Sequence, residues 1–179
     1  MPKPIKIFAI TGSTRKNSSN YKILKFISES IKTQFEVEIF EDLNKLPHFN
    51  PDLDTENPPE NIISFRNKIA QADGIIICTP EYVFSLPGSL KNALEWCVST
   101  TIFSKKKVGL ITASASGEMG HEQLILIMKT LEAQFEENLL LIQGIRGKIN
   151  EEGKIIDNET FVALHQLITN FENQFFTEK

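Results

Sequence analysis

Cysteine is scarce in this chain, with two residues, Cys78 and Cys97, among 179. Both sit in apolar stretches at a spacing that fits neither a metal knuckle nor a redox pair, so they read as small buried hydrophobes. The three histidines, His48, His121 and His165, show no ligand spacing, and no metal is expected. A basic excess is missing too: the net charge of −4 argues against a nucleic-acid partner, which would call for a basic face. No apolar run approaches the roughly 20 residues that cross a bilayer. The N-terminal run Ile5–Ile10 is too short for a secretory leader and passes at once into a polar loop. These absences leave no membrane association to expect, and the cytoplasm as the expected compartment. Repeats, low-complexity tracts and linkers are also missing, so residues 1–179 read as a single domain.

What is present is an alternation. Apolar content of 41% and charged content of 23% are those of a water-soluble globule. Short runs rich in β-branched residues fall at Ile5–Thr11, Val37–Phe40, Gly74–Thr79, Lys107–Ala113 and Leu139–Gln143. Between them the apolar residues recur at helical spacing: Ile23, Leu24, Ile27 and Ile31 in the first helix, Leu124, Met128, Leu131 and Phe135 in the fourth, Leu164, Leu167, Ile168 and Phe171 in the last. The first, third and fourth strands are nearly continuous apolar runs, the pattern of parallel strands covered on both faces. The expected fold is a three-layer α/β sandwich with a five-stranded parallel sheet in the order 2-1-3-4-5. Ligands of such sheets bind beyond the carboxyl ends of the strands, where the strand order reverses. The loops after strands 1, 3 and 4 therefore carry the functional question.

The first of them, "TGSTRKNSSN" at 11–20, is crowded with hydrogen-bond donors and holds no carboxylate. A helix starting near Asn17–Ser19 would add free amides and a positive dipole end. Ser13, Ser18, Ser19, Asn20 and Arg15 are then a phosphate-binding set. Helix capping alone needs one such residue. The triphosphate-binding loop G-x-x-x-x-G-K-[ST] and the dinucleotide fingerprint G-x-G-x-x-G are both missing here, which points to a single phosphate such as that of a mononucleotide. After strand 3, Pro80 ends the strand and leaves Glu81 and Tyr82 at the sheet's edge, with Ser85 an expected N-cap and Pro87 just inside the next helix. Lys91 and Asn92 read as solvated helix face, and Trp96 as core or subunit contact. After strand 4, "TASASGEMGHEQ" at 112–123 offers small residues whose backbone can approach a ligand closely. His121 reads as a solvated or capping residue at the start of the fourth helix.

With these loops in place the chain resembles the NAD(P)H-dependent FMN reductases, the flavodoxin-like group that includes chromate, quinone and azo-dye reductases. "GSTRKNSSN" matches the family's G-S-x-R-x-x-S-x-N loop, and "PEYVFSLPGSLKNALEW" its P-E-Y-N-x-x-x-P-x-x-L-K-N-A-[IL]-[DE]-W segment. The resemblance implies that the FMN phosphate lies on Ser13, Arg15, Ser18 and Asn20 with Ser19 in support. It implies that the ring lies against Pro80, Glu81, Tyr82 and the Val83 turn, with its pyrimidine edge near Ser114, Ser116 and Gly117. Val83 replaces the family's asparagine. The loop after strand 4 also has fewer glycines than is usual in the family.

The reaction so implied is hydride transfer from NADPH or NADH to FMN, then electron transfer to a quinone, azo compound, metal oxyanion or free flavin. No protein catalytic residue is required, since the flavin carries the chemistry. One open ring face implies ping-pong turnover. A homodimer or homotetramer is implied as well, with the third helix and the region of Trp96 at the contact. The rival reading is a flavodoxin-type electron carrier without a pyridine-nucleotide reaction. A loop arginine, the lack of a second aromatic beside Tyr82 and the mild net charge weigh against it. A family member that has lost FMN is the third reading, encouraged by Val83 alone.

Overall fold

Isoleucine-rich runs that bury both faces become the middle of the sheet. A computed structural model describes residues 3–135 and 137–176. Along the chain come β1 (Ile5–Thr11), α1 (Ser19–Ser30), β2 (Phe35–Phe40), α2 (Glu60–Gln71), β3 (Gly74–Thr79), α3 (Gly88–Glu95), β4 (Lys107–Ala113), α4 (Glu118–Thr130), β5 (Leu139–Ile142) and α5 (Asn158–Asn173). All pairings are parallel, and the sheet order is β2-β1-β3-β4-β5. Thr11 stands opposite Cys78, and Thr79 opposite Thr112, so β1, β3 and β4 end in line.

Strand alternation sends neighbouring residues to opposite layers. Phe8, Ile10, Ile75 and Ile77 pack with Ile62, Phe65, Leu90 and Leu124 of α2, α3 and α4. Ile7, Ala9, Ile76 and Cys78 pack with Ile23, Ile27, Leu164 and Phe171 of α1 and α5. Each of the isoleucine, leucine and phenylalanine side chains contributes about 1.5–3 kcal/mol by leaving water. Cys78 and Cys97 are both buried, as expected, and free. Burial pushes the Cys97 thiol up to about 12, out of reach of thiolate chemistry.

Three local expectations need correction. Ser85 does not cap α3. That helix begins at Gly88 behind Pro87 with no side-chain cap, and Ser85 is held by a preceding hairpin. Asn92 is not solvated: its Oδ1 accepts the Phe49 amide at 2.7 Å and its Nδ2 donates to the Pro47 carbonyl at 3.0 Å. α4 stops at Thr130, so Phe135 lies beyond the helix, although it is buried in the same layer. Trp96 is fully buried and donates to the Pro47 carbonyl at 2.8 Å. The proline-rich connection 46–59 is thereby stitched to α3, and the Arg66–Asp54 ion pair at 2.7 Å adds a further tie.

Candidate functional site

The loop leaving β1 is pressed against β3. Gly12 donates to the Cys78 carbonyl at 2.8 Å. A Cβ on Gly12 would lie 2.2 Å from Thr79 Oγ1 and 2.5 Å from Thr79 Cβ, so no other residue fits. Beyond it the chain turns through Asn17, whose φ of 53° lies in the left-handed region that asparagine tolerates. Ser18 then caps α1, its Oγ accepting the Tyr21 amide at 3.1 Å. The first-turn amides of Ser19 and Asn20 have no acceptor within the helix.

Ser13 and Ser18 are both buried. Each hydroxyl accepts one backbone amide, Ser13 from Arg15 at 3.3 Å and Ser18 from Tyr21, which leaves its O–H free to donate. Ser19 is half-buried beside them. Thr11 belongs by alternation to the α1 face of β1, and its Oγ1 is buried without a hydrogen-bond partner at the root of the loop. Arg15 and Lys16 are exposed and form no ion pair with any described residue. The glycine cradle, the unbonded hydroxyl, the free amides and the two cations suit a phosphate dianion.

Asn20 has two buried partners that the sequence does not show. It is 3% exposed, its Nδ2 donates to the Ala113 carbonyl at 3.3 Å, and its Oδ1 accepts the Cys78 thiol at 3.3 Å. Its side chain joins β3 and β4 beneath the loop, and its first-turn backbone amide has no acceptor within the helix.

The loop after β3 is a clamped hairpin. Pro80 is buried, and the Glu81 carboxylate turns to α4, where it accepts the Gly120 amide at 2.8 Å. Tyr82 and Ser85 exchange two backbone hydrogen bonds of 2.9 and 3.1 Å around Val83 and Phe84. Those two residues have φ of 51° and 57°, a type I′ arrangement that favours Asn-Gly. A β-branched residue held there costs on the order of 1–3 kcal/mol, which the surroundings must offset. Ser85 Oγ donates to Gln123 Oε1 at 2.6 Å, and Gln123 Nε2 donates to the Phe84 carbonyl at 3.1 Å.

The loop after β4 is fixed from below. Ser114 and Ala115 accept amides from Ile145 and Gly144, and the Ser114 amide donates to Ile142. The Ser114 hydroxyl donates to the Glu81 carbonyl at 3.4 Å. Ser116 is exposed, and Gly117 has a φ of 95° with a Cβ position 2.9 Å from Leu141 Cδ1. The amides of residues 115–117 find no acceptor among the described residues. His121 is not a cap; it is half-buried, with its Nδ1 2.9 Å from Thr112 Oγ1. Burial lowers its pKa, against a smaller opposing pull from the Glu122 charge.

Gly120, Gln123, Cys78 and the contact of Gly12 with Thr79 escaped the sequence reading. Glycine in the first turn of a helix is a poor helix former, and that was the available signal for Gly120. The thiol and the glutamine carry no local signature.

A sheet of this order with a donor-rich loop, a proline-terminated hairpin and a small-residue loop at one edge defines a flavodoxin-like mononucleotide-binding protein. The family model described as "NADPH-dependent FMN reductase" matches residues 5–142. The chain belongs to that family. It is 32% identical over 177 residues to the NADH:(hydroxy)cinnamate reductase subunit CrdA of Vibrio ruber, covering 95% of this chain and 86% of that one. It is 29% identical over 182 residues to a quinone reductase of Escherichia coli, covering 96% and 95%. Among solved structures, the flavoenzyme NAD(P)H:(acceptor) oxidoreductase FerB of Paracoccus denitrificans superposes with a TM-score of 0.73 at 23% identity, covering 93% and 94%. The protein is an NAD(P)H-dependent flavin oxidoreductase with FMN as its cofactor, and the electron-carrier reading gives way to it.

Proposed function

We propose that the three loops form one FMN site and that the bound flavin delivers electrons from NAD(P)H to a small, flat acceptor such as a quinone. The observation that carries the reading is the end of β1, where the Gly12 cradle, two buried serine hydroxyls and the free amides of Ser19 and Asn20 converge. Arg15 supplies charge to the phosphate, while Ser13, Ser18 and Ser19 supply neutral donors. Pro80, Tyr82 and the backbone at Val83 support the ring, and Glu81 acts through Gly120 to hold that turn in place. The free amides of residues 115–117 face the pyrimidine edge, where donors stabilise negative charge that develops on reduction. Bound FMN supplies the hydride-accepting centre. No side-chain acid or base is needed, and one exposed ring face makes donor and acceptor take turns.

Residues 1–179 act as one domain, in the cytoplasm, with no nucleic-acid partner. Among the described residues no helix is long and apolar enough to cross a membrane. A second copy, in a homodimer or homotetramer, covers the outer face of α3 and the segment just after Trp96, where Val98 is exposed. The Vibrio ruber relative is named as a subunit, so a different second chain on that face is the variant reading, and the mass in solution separates the two.

The test is an absorption spectrum of the purified protein, followed by anaerobic addition of NADH and NADPH in turn. Flavin bands that bleach with a pyridine nucleotide are expected. Bound flavin that ignores both donors would return the electron-carrier reading, and protein that takes up no FMN would overturn the site.

A further inference from the structure

We propose that the Tyr82–Ser85 turn is a rigid apolar lip, and that Val83 and Phe84 select flat apolar acceptors over hydrophilic anions. The inference deepens the function proposed above and rests on it. Val83 is 94% exposed and Phe84 72%, adjacent residues at the carboxyl edge of the sheet. A lone exposed hydrophobe is unremarkable. Here, however, both residues also occupy left-handed backbone, in a turn type that asparagine and glycine fill without strain. The chain accepts the strain and gains no burial in return, so the outlier calls for another use.

The turn is also over-determined from behind. Gln123 takes the Ser85 hydroxyl and donates to the Phe84 carbonyl. Glu81 takes the Gly120 amide, and Gly120 lets α4 approach so closely that a Cβ there would sit 3.2 Å from the Glu81 side chain. The Ser85 and Glu81 side chains and the Phe84 carbonyl are therefore engaged beneath the lip. What remains outward is Tyr82, Val83 and Phe84, with exposed Met119 in the first turn of α4. On these side chains an oxyanion finds a single donor, the Tyr82 hydroxyl, and none on Val83, Phe84 or Met119. A quinone ring finds apolar area held in a fixed place, which lowers the ordering cost of binding.

The overall reaction remains NAD(P)H plus quinone plus a proton giving NAD(P)+ and hydroquinone. Two electrons and a proton leave the nicotinamide as hydride, and the second proton comes from water. The lip acts on acceptor binding alone.

The test compares wild type with Val83→Asn, Phe84→Asn and the double variant, all loaded with FMN. Asparagine tolerates the left-handed backbone, so the turn is retained. Equilibrium dialysis of 2-methyl-1,4-naphthoquinone should show about tenfold weaker binding to the double variant. The ratio of kcat/KM for that quinone to kcat/KM for ferricyanide should fall by a similar factor, while the melting temperature rises for Val83→Asn as strain is relieved. Quinone affinity and ratio both within twofold of wild type would overturn the proposal. So would a fall in molecular mass in the double variant, which would assign the lip to a contact between chains. Failure of the wild type to take up FMN is read in the absorbance before any acceptor is added, and overturns the underlying function instead.

Discussion

The side-chain amide of Asn20 donates to the backbone carbonyl of Ala113 across 3.3 Å, joining the first turn of α1 to the last residue of β4. With the Cys78 thiol on its Oδ1, this residue ties together the ends of three elements whose loops form the site. It holds the phosphate loop in place from below. Asn20→Ala leaves a buried carbonyl without its donor, and the expected loss is about 1–3 kcal/mol of stability. FMN affinity should fall alongside, through displacement of the helix start. Urea unfolding and flavin titration on the same sample separate the alternatives. A large loss of FMN affinity at unchanged stability would return Asn20 to the role of direct phosphate ligand.

Gly12 and Thr79 form a second fixed contact. Gly12→Ala places a methyl group 2.2 Å from Thr79 Oγ1, which must force the β1 loop off β3 at a cost of about 1–3 kcal/mol. FMN binding should weaken with it. Thr79→Gly in the Gly12→Ala background removes the obstructing atoms and should recover much of the flavin affinity. If the double variant binds no better than Gly12→Ala, the close contact is not what makes glycine necessary.

The layers were legible because parallel strands covered on both faces leave a signal that survives without context. Ile75–Cys78 and Val108–Ile111 can be little else. The start of α1, expected near Asn17–Ser19, was legible for a similar reason, since a helix start is a local event. Ser85 misled because the expected helix start assumed ordinary turn chemistry, and Val83 and Phe84 break that rule with left-handed backbone. Trp96 is core, as expected, but its partner and those of Asn92 and His121 were not legible, for another reason. Their partners Pro47 and Thr112 reach them only when the sheet is assembled, and no spacing along a single helix encodes that. The same holds for the assignment of the Asn20 side chain, which depends on two strands at once.

Arg15 is exposed and unpaired among the described residues, so its value rests on the anion it meets. Arg15→Ala should weaken FMN by about 1.5–3 kcal/mol, roughly ten- to a hundredfold, as for a lost charge-assisted hydrogen bond. Riboflavin carries the same ring without the phosphate, and its affinity should be alike in wild type and variant. The wild-type preference for FMN should shrink as salt rises, because the site is open to screening. Equal losses for both flavins would place Arg15 at the ring or the fold instead of the phosphate.

His121 should imprint a pH dependence on stability. Burial lowers its folded-state pKa below the ordinary value, the Glu122 charge opposing in part. The unfolded chain therefore binds the proton more readily, and stability rises with pH wherever the two states differ in protonation. The contribution is fully present above about 6.5, the unfolded value, and is lost as pH falls from there through the folded value. His121→Gln keeps a polar group within reach of Thr112 and removes the titration. Its unfolding free energy should be flatter than that of wild type between neutral and mildly acidic pH, with the two curves running parallel at lower pH, where the imidazole is protonated in both states. Parallel curves across that range would mean that the imidazole is protonated equally in both states, and that its contact with Thr112 does not depend on a buried neutral ring.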